Sequence, residues 1–144
     1  MPMTNSKACR RATVASGILL FAAFAVLMAA RWAPEAAAKG VTLVYVGAED
    51  CAPCGIWQRN QRAAFHGSAE FSRLVFHEVK SPTLFGVLND DNWPAELQRY
   101  RQAIQKGTGV PLWLVIVGDK IVMQRSGLSQ WDEAIVPKLK SLLR

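Results

Sequence analysis

Two cysteines separated by two residues, Cys51-Ala52-Pro53-Cys54, sit between a β-branched run and a helical pattern, and no other feature restricts this chain as strongly. Residues 41–46, Val-Thr-Leu-Val-Tyr-Val, are apolar with little alternation, the pattern of a central strand buried on both faces. Residues 47–50 turn the chain into Cys51, and from Cys54 to about His66 the residues Ile56, Trp57, Ala63 and Ala64 return at helical spacing. Pro53 falls in the first helical turn, where a missing amide hydrogen is tolerated. A loop closed by so short a spacer constrains little unfolded-chain entropy, so the pair is a poor staple. It reads as a reactive group.

The rest of the chain supplies a sheet and its covering helices. Residues 74–79 form a second strand candidate, Ser81-Pro82 ends it, and residues 83–92 make a loop longer than usual. Pro94 opens a helix with Leu97, Tyr100 and Ile104 on one face and Gly107 as its C-terminal cap. Residues 112–117 and 121–124 flank Gly118-Asp119-Lys120 as an antiparallel hairpin. Ser129 caps a final amphipathic helix carrying Trp131, Ile135, Leu139 and Leu142, which Pro137 kinks or divides.

Ahead of this domain lie 19 residues without a charge, residues 12–30, preceded by Lys7, Arg10 and Arg11 and followed by Arg31. As a helix the run would be roughly 28 Å long at about 1.5 Å per residue, close to the hydrocarbon thickness of a bilayer. A single-pass anchor and a cleaved signal peptide with Ala36-Ala37-Ala38 near its end both fit the pattern. Either fate leaves the basic flank inside and the domain from about Lys39 outside the cytoplasm, in the periplasm. We therefore divide the chain into a signal or anchor segment, residues 1–38, and one domain, residues 39–144. The latter keeps 13 basic against 10 acidic residues, a formal +3, with no basic run interleaved with aromatics, which argues against nucleic-acid binding. Of three cysteines, Cys9 belongs to the first segment, so the domain has no third thiol for a separate bridge.

The order strand, Cys-x-x-Cys helix, strand, helix, Val110-Pro111, hairpin, Gly127 and final helix resembles the thioredoxin-like family over roughly residues 40–144. The resemblance implies an α/β fold: a minimal thioredoxin-like domain with a central mixed sheet of about four strands flanked by helices. The family's extra N-terminal strand and helix are expected to be missing, because residue 41 follows the leader almost directly. By the same resemblance the Val110-Pro111 bond is cis and faces the cysteines, and Val110 and Pro111 form the edge on which a substrate docks. The sequence departs from the family in two places. Asp50 stands where a tryptophan usually precedes the first cysteine, and Tyr45 stands where a buried acid usually accepts a proton. Glu49, Glu78 and His77 are candidate substitutes for that acid.

A thiolate attacks disulfide sulfur, and a helix N-terminus stabilises the anion. Cys51 is accordingly expected to be the solvent-facing nucleophile and Cys54 the shielded, resolving thiol. Asp50 adds a negative charge beside it that disfavours the thiolate. The expected activity is thiol-disulfide exchange with protein substrates, more in the reducing direction because Ala52-Pro53 lacks the histidine of strongly oxidising relatives. No cofactor or metal is required, and a membrane electron donor would complete the cycle. Two thiols can also hold Cu(I), so a metallochaperone or a non-catalytic interaction module on the same scaffold is the competing expectation, although Met123 and His66 are distant in sequence. Trp57, Trp93 and Trp113 belong either to the rim of a substrate groove or to the core, and the size of their apolar surface favours the core.

Overall fold

The β-branched run becomes strand β1, Val41–Ala48, longer by two residues than its pattern suggests and buried along nearly its whole length. This is a computed structural model, and it describes residues 40–105 and 107–144; the apolar run and its basic flanks lie outside them. Among the described residues no helix is long and apolar enough to cross a membrane. After the cysteine motif come helices α1, Ala52–Asn60, and α2, Arg62–His66, then strand β2, Leu74–Ser81. A loop with two 3-10 turns leads to the short helix α3, Gln98–Gln102. Strands β3, Leu112–Val117, and β4, Lys120–Ser126, form the hairpin, and α4, Val136–Leu142, closes the chain.

The sheet has the order β2-β1-β3-β4. β1 runs parallel to β2 and antiparallel to β3, and β3 pairs antiparallel with β4, so the sheet is mixed and four-stranded. β1 and β3 are interior strands, which explains why both are continuous apolar runs. Gly118, at a φ of 60°, makes the tight turn of the hairpin in a left-handed conformation that suits glycine.

Behind the sheet an aromatic cluster fills the core. Tyr45 stacks on Trp57 with ring centroids 4.6 Å apart, Trp57 meets Trp131 edge-on at 5.0 Å, and Phe65 meets Trp131 edge-on at 4.9 Å. Trp57 and Trp113 are fully buried, and Trp93 is buried with its indole N–H donating to the Val87 carbonyl. None of the three rims a groove; all are core.

Three helical readings need correction. The helix expected to run to His66 breaks at Gln61, whose φ of −123° leaves the helical region, so two short helices replace one. On its outer face Ile56, Ala63 and Ala64 are exposed, while Trp57 and Phe65 face the core. The helix expected from Pro94 is a 3-10 turn, Ala95–Leu97, followed by little more than one α turn. Its polar side chains tie down the preceding loop: the Gln98 amide donates to the Asp90 and Trp93 carbonyls, and Arg101 donates to the Leu88 carbonyl. Leu97, Tyr100 and Ile104 are nonetheless buried as the periodicity predicts. Gly107 lies well past the helix end at Ala103 and is not its cap.

The final helix opens as a π-helical turn, Trp131–Ile135, and no side chain caps it, Ser129 included. Pro137 supplies the reason. It has no amide to donate, and its ring would crowd the carbonyl four residues earlier, so the turn before it widens and the Val136 N–H bonds back to Trp131. Trp131, Ile135 and Leu139 reach the core, but the last buried position is Leu143; Leu142 is half-buried.

Candidate functional site

Strand register brings the site together. In the antiparallel pair, Val46 near the end of β1 lies opposite Leu112 at the start of β3, so the residues just before β3 meet the residues just after β1. In the parallel pair Ala48 lies opposite Ser81, and the Glu49 N–H donates to the Ser81 carbonyl at 3.0 Å. The cysteine loop, the segment leaving β2 and the segment leading into β3 therefore share one end of the sheet.

At that end Cys51 is the N-cap of α1. The Cys54 N–H points at Cys51 Sγ with a separation of 3.1 Å, the place an oxygen acceptor usually takes at a helix start. Pro53 sits in the first turn, as the sequence predicts. The two sulfurs form a disulfide. The expected contrast in exposure is small: Cys51 retains 4% of its surface and Cys54 none. Cys51 is thus nearly covered rather than solvent-facing, and the Val110 segment is one of its neighbours.

Val110-Pro111 is cis. The Val110 carbonyl oxygen stands 3.7 Å from Cys51 Sγ. In the disulfide this is a contact only, since the sulfur carries no hydrogen; in the dithiol the Cys51 S–H has an acceptor there. The Pro111 carbonyl accepts from the Gly127 N–H at 2.9 Å, which ties the far end of β4 to this loop. Gly127 has a φ of +101°, a conformation that favours glycine.

Asp50 does not simply face the sulfurs. Its carboxylate accepts the Leu84 N–H at 2.8 Å and so pins the loop after β2 beside the cysteines. Sequence reasoning found its charge but not this bond, which depends on the β1–β2 register.

Tyr45, expected from the sequence to stand in place of a buried acid, is fully buried. Its hydroxyl accepts from the Gln58 amide at 3.1 Å. Burial pushes the Tyr45 hydroxyl above its ordinary pKa; the Gln58 hydrogen bond works against that, the Glu78 charge adds to it and the Arg62 charge opposes it. The tyrosine is a neutral group at physiological pH. Of the three candidate acceptors, Glu78 is held by Arg62 in a two-point ion pair at 2.8 and 2.9 Å, with Lys80 at 3.9 Å. His77 is half-buried opposite Val44, and the Glu49 side chain is exposed. None of the three is hydrogen-bonded to Cys51 or Cys54. Among the described residues no group of three or more His, Cys, Asp and Glu side chains is arranged to hold a metal.

A mixed four-stranded sheet, a Cys-x-x-Cys disulfide capping the first helix and a cis-proline segment across it define the class by its fold: the domain has a thioredoxin-like fold. No family model and no curated protein matches the sequence. Among solved structures the chain is similar to a thioredoxin of Malassezia sympodialis, with 14% identity over 71% of this chain and 81% of that one and a TM-score of 0.49. It is similar to a redox protein from Chlamydomonas reinhardtii, with 20% identity over 85% of this chain and 33% of that one, at 0.49. A DsbH oxidoreductase shares 19% identity over 71% of this chain and 74% of its own, at 0.42.

Proposed function

We propose that this chain is a thiol-disulfide oxidoreductase acting on protein disulfides, with Cys51 as nucleophile and Cys54 as resolving thiol. One observation carries the reading: Cys51 Sγ caps a helix, 3.1 Å from the Cys54 amide, and is bonded to that residue's own sulfur. In the dithiol form the same amide and the helix terminus favour a thiolate at Cys51.

The cycle balances as follows. The Cys51 thiolate attacks one sulfur of a partner disulfide, a mixed disulfide forms, and the partner's S–S bond breaks to release a thiolate that takes up a proton. Cys54 loses its proton and attacks Cys51 Sγ; the internal disulfide forms, and the second partner thiolate leaves and is protonated. Two electrons and two protons pass to the partner, and a dithiol donor restores the pair by the reverse steps. We favour the reducing direction, since Ala52-Pro53 places no histidine between the cysteines. The uncharged residues 12–30 and their basic flank support work in the cell envelope, outside the cytoplasm, with a membrane protein as electron donor.

The test is trapping with the full-length chain. Cys54→Ser should abolish turnover yet accumulate partners disulfide-linked to Cys51, and Cys51→Ser should abolish both. Partner adducts that survive loss of Cys51 refute the assignment. Retention of stoichiometric Cu(I) by both thiols, without exchange activity, would put the metallochaperone in its place.

A further inference from the structure

The two irregular turns of the helical layer border one hollow. The break at Gln61, where α1 gives way to α2, forms one side, and the π-helical turn Trp131–Ile135 forms the other. Between them lies a cavity of about 270 Å³ with an apolar floor made by Ala64, Phe65, Trp131, Val136 and Leu139. Widened turns of this kind recur at functional sites. The Gln61 amide ties the two sides together: Nε2 donates to the Asp132 carboxylate at 2.9 Å, while Oε1 is buried and accepts nothing. A buried acceptor without a donor needs a reason. Glu70 and Asp132 line the same hollow against the single ammonium of Lys140, so its rim carries one net negative charge. Among the described residues neither carboxylate is ion-paired. The hollow opens at the end of α1 away from Cys51, roughly 13 Å along the helix at about 1.5 Å per residue, and is not part of the dithiol site.

We propose that this hollow binds a small organic cation: an aromatic or alicyclic ring on the apolar floor, joined by a short chain to a primary ammonium held by Glu70, Asp132 and the Gln61 oxygen. Size sets the class. Ligand cavities run from about 300 to 1,000 Å³, so one at the bottom of that range takes a one-ring molecule and leaves no room for a helix or a folded partner segment. Charge sets the head group. An ammonium has three N–H donors, and the hollow offers two carboxylates and an unused amide oxygen. Because Oε1 is enclosed, the Gln61 amide turns about its terminal bond to meet the ligand, and Asp132, which it releases, takes the ammonium in its place. That exchange replaces an amide donor by a charged one, whose hydrogen bonds are about twice as strong as neutral pairs. A carboxylate ligand would meet two like charges and only Lys140 in its favour.

The test titrates 3-phenylpropylamine, the near-isosteric 3-phenylpropanol and 3-phenylpropionate into the full-length chain. Calorimetry gives the affinities, and tryptophan emission reports occupancy through Trp131 in the floor. With about ten non-hydrogen atoms the amine should bind with a Kd of about 1 mM. The alcohol should bind about tenfold more weakly and the carboxylate not measurably. Glu70→Gln should weaken the amine about threefold and leave the alcohol unchanged. Ala64→Leu fills the hollow from an exposed helical position and should remove binding of both, with the urea midpoint confirming that the fold is kept. Equal affinity for amine and alcohol, or a Glu70→Gln chain that binds the amine as wild type does, reduces the site to unselective apolar contact and overturns the inference. Amine binding that survives Ala64→Leu places the ligand elsewhere and overturns it too.

Discussion

Replacing Gly47 by alanine should destabilise the domain through a single contact. A Cβ at this position would fall 2.4 Å from the Tyr45 hydroxyl oxygen and 2.8 Å from the ring carbon bearing it, inside any tolerable separation. The tyrosine cannot step aside easily, since it is fully buried, stacked on Trp57 and 6.2 Å from the Trp113 ring. Overpacking of this kind costs about 1–3 kcal/mol. Displacing the hydroxyl from Gln58 costs about 1 kcal/mol more. The reduced freedom of the unfolded chain returns roughly 0.4–1 kcal/mol. The net is a loss of about 2 kcal/mol, or roughly 10 °C in Tm for a domain of this size. Urea denaturation followed by fluorescence measures it. Tyr45→Phe in the Gly47→Ala background removes the closest atom and should recover about 1 kcal/mol relative to the sum of the single effects. A Gly47→Ala loss below about 0.5 kcal/mol, or strict additivity with Tyr45→Phe, would refute the packing argument.

Three further outcomes are expected. Because the folded pKa of Tyr45 lies above its ordinary 10.0, the unfolded chain deprotonates first as pH rises. The contribution is therefore intact below about pH 10 and is lost above it, and Tyr45→Phe should flatten that alkaline decline in denaturant titrations. Leu139→Ala, at a position 1% exposed, should cost about 2–5 kcal/mol in unfolding free energy while leaving Cys51 alkylation kinetics of the folded dithiol unchanged. Asp50→Ala should free the Leu84 amide and speed chymotryptic cleavage after Phe85, whereas Asp50→Asn keeps an acceptor and should protect the loop as wild type does.

The strands were legible because their physics is local. Continuous apolar runs such as residues 41–46 and 112–117 have few alternatives to an interior strand, and both became one. Helix lengths were less legible, since nothing in the periodicity of Leu97, Tyr100 and Ile104 reveals that Gln98 and Arg101 spend their donors on loop carbonyls. The π turn had a visible cause in Pro137, but its form depends on how the widened turn seats Trp131 against Trp57. The cysteine motif was apparent from spacing alone. What surrounds it was not: the Asp50–Leu84 bond arises from a strand register that joins residues more than thirty positions apart. Within residues 83–92 four apolar residues stand together, and nothing in their order distinguishes Val87, which enters the core, from Phe85, which stays exposed.

The aromatic stack behind the sheet has an optical consequence. Trp57 lies 6.1 Å from Trp113 and 5.0 Å from Trp131, and those two are 5.6 Å from each other, so their transition dipoles couple and exchange excitation far faster than any one of them emits. The three indoles are therefore expected to act as one chromophore, with asymmetric near-ultraviolet dichroism and a shared emission. Trp57 is on the same short helix as the disulfide, three residues beyond Cys54, and sulfur in its oxidised form is an efficient quencher. Reduction of the Cys51–Cys54 pair is therefore expected to brighten the emission of this cluster, a change that fluorescence follows in real time without a dye.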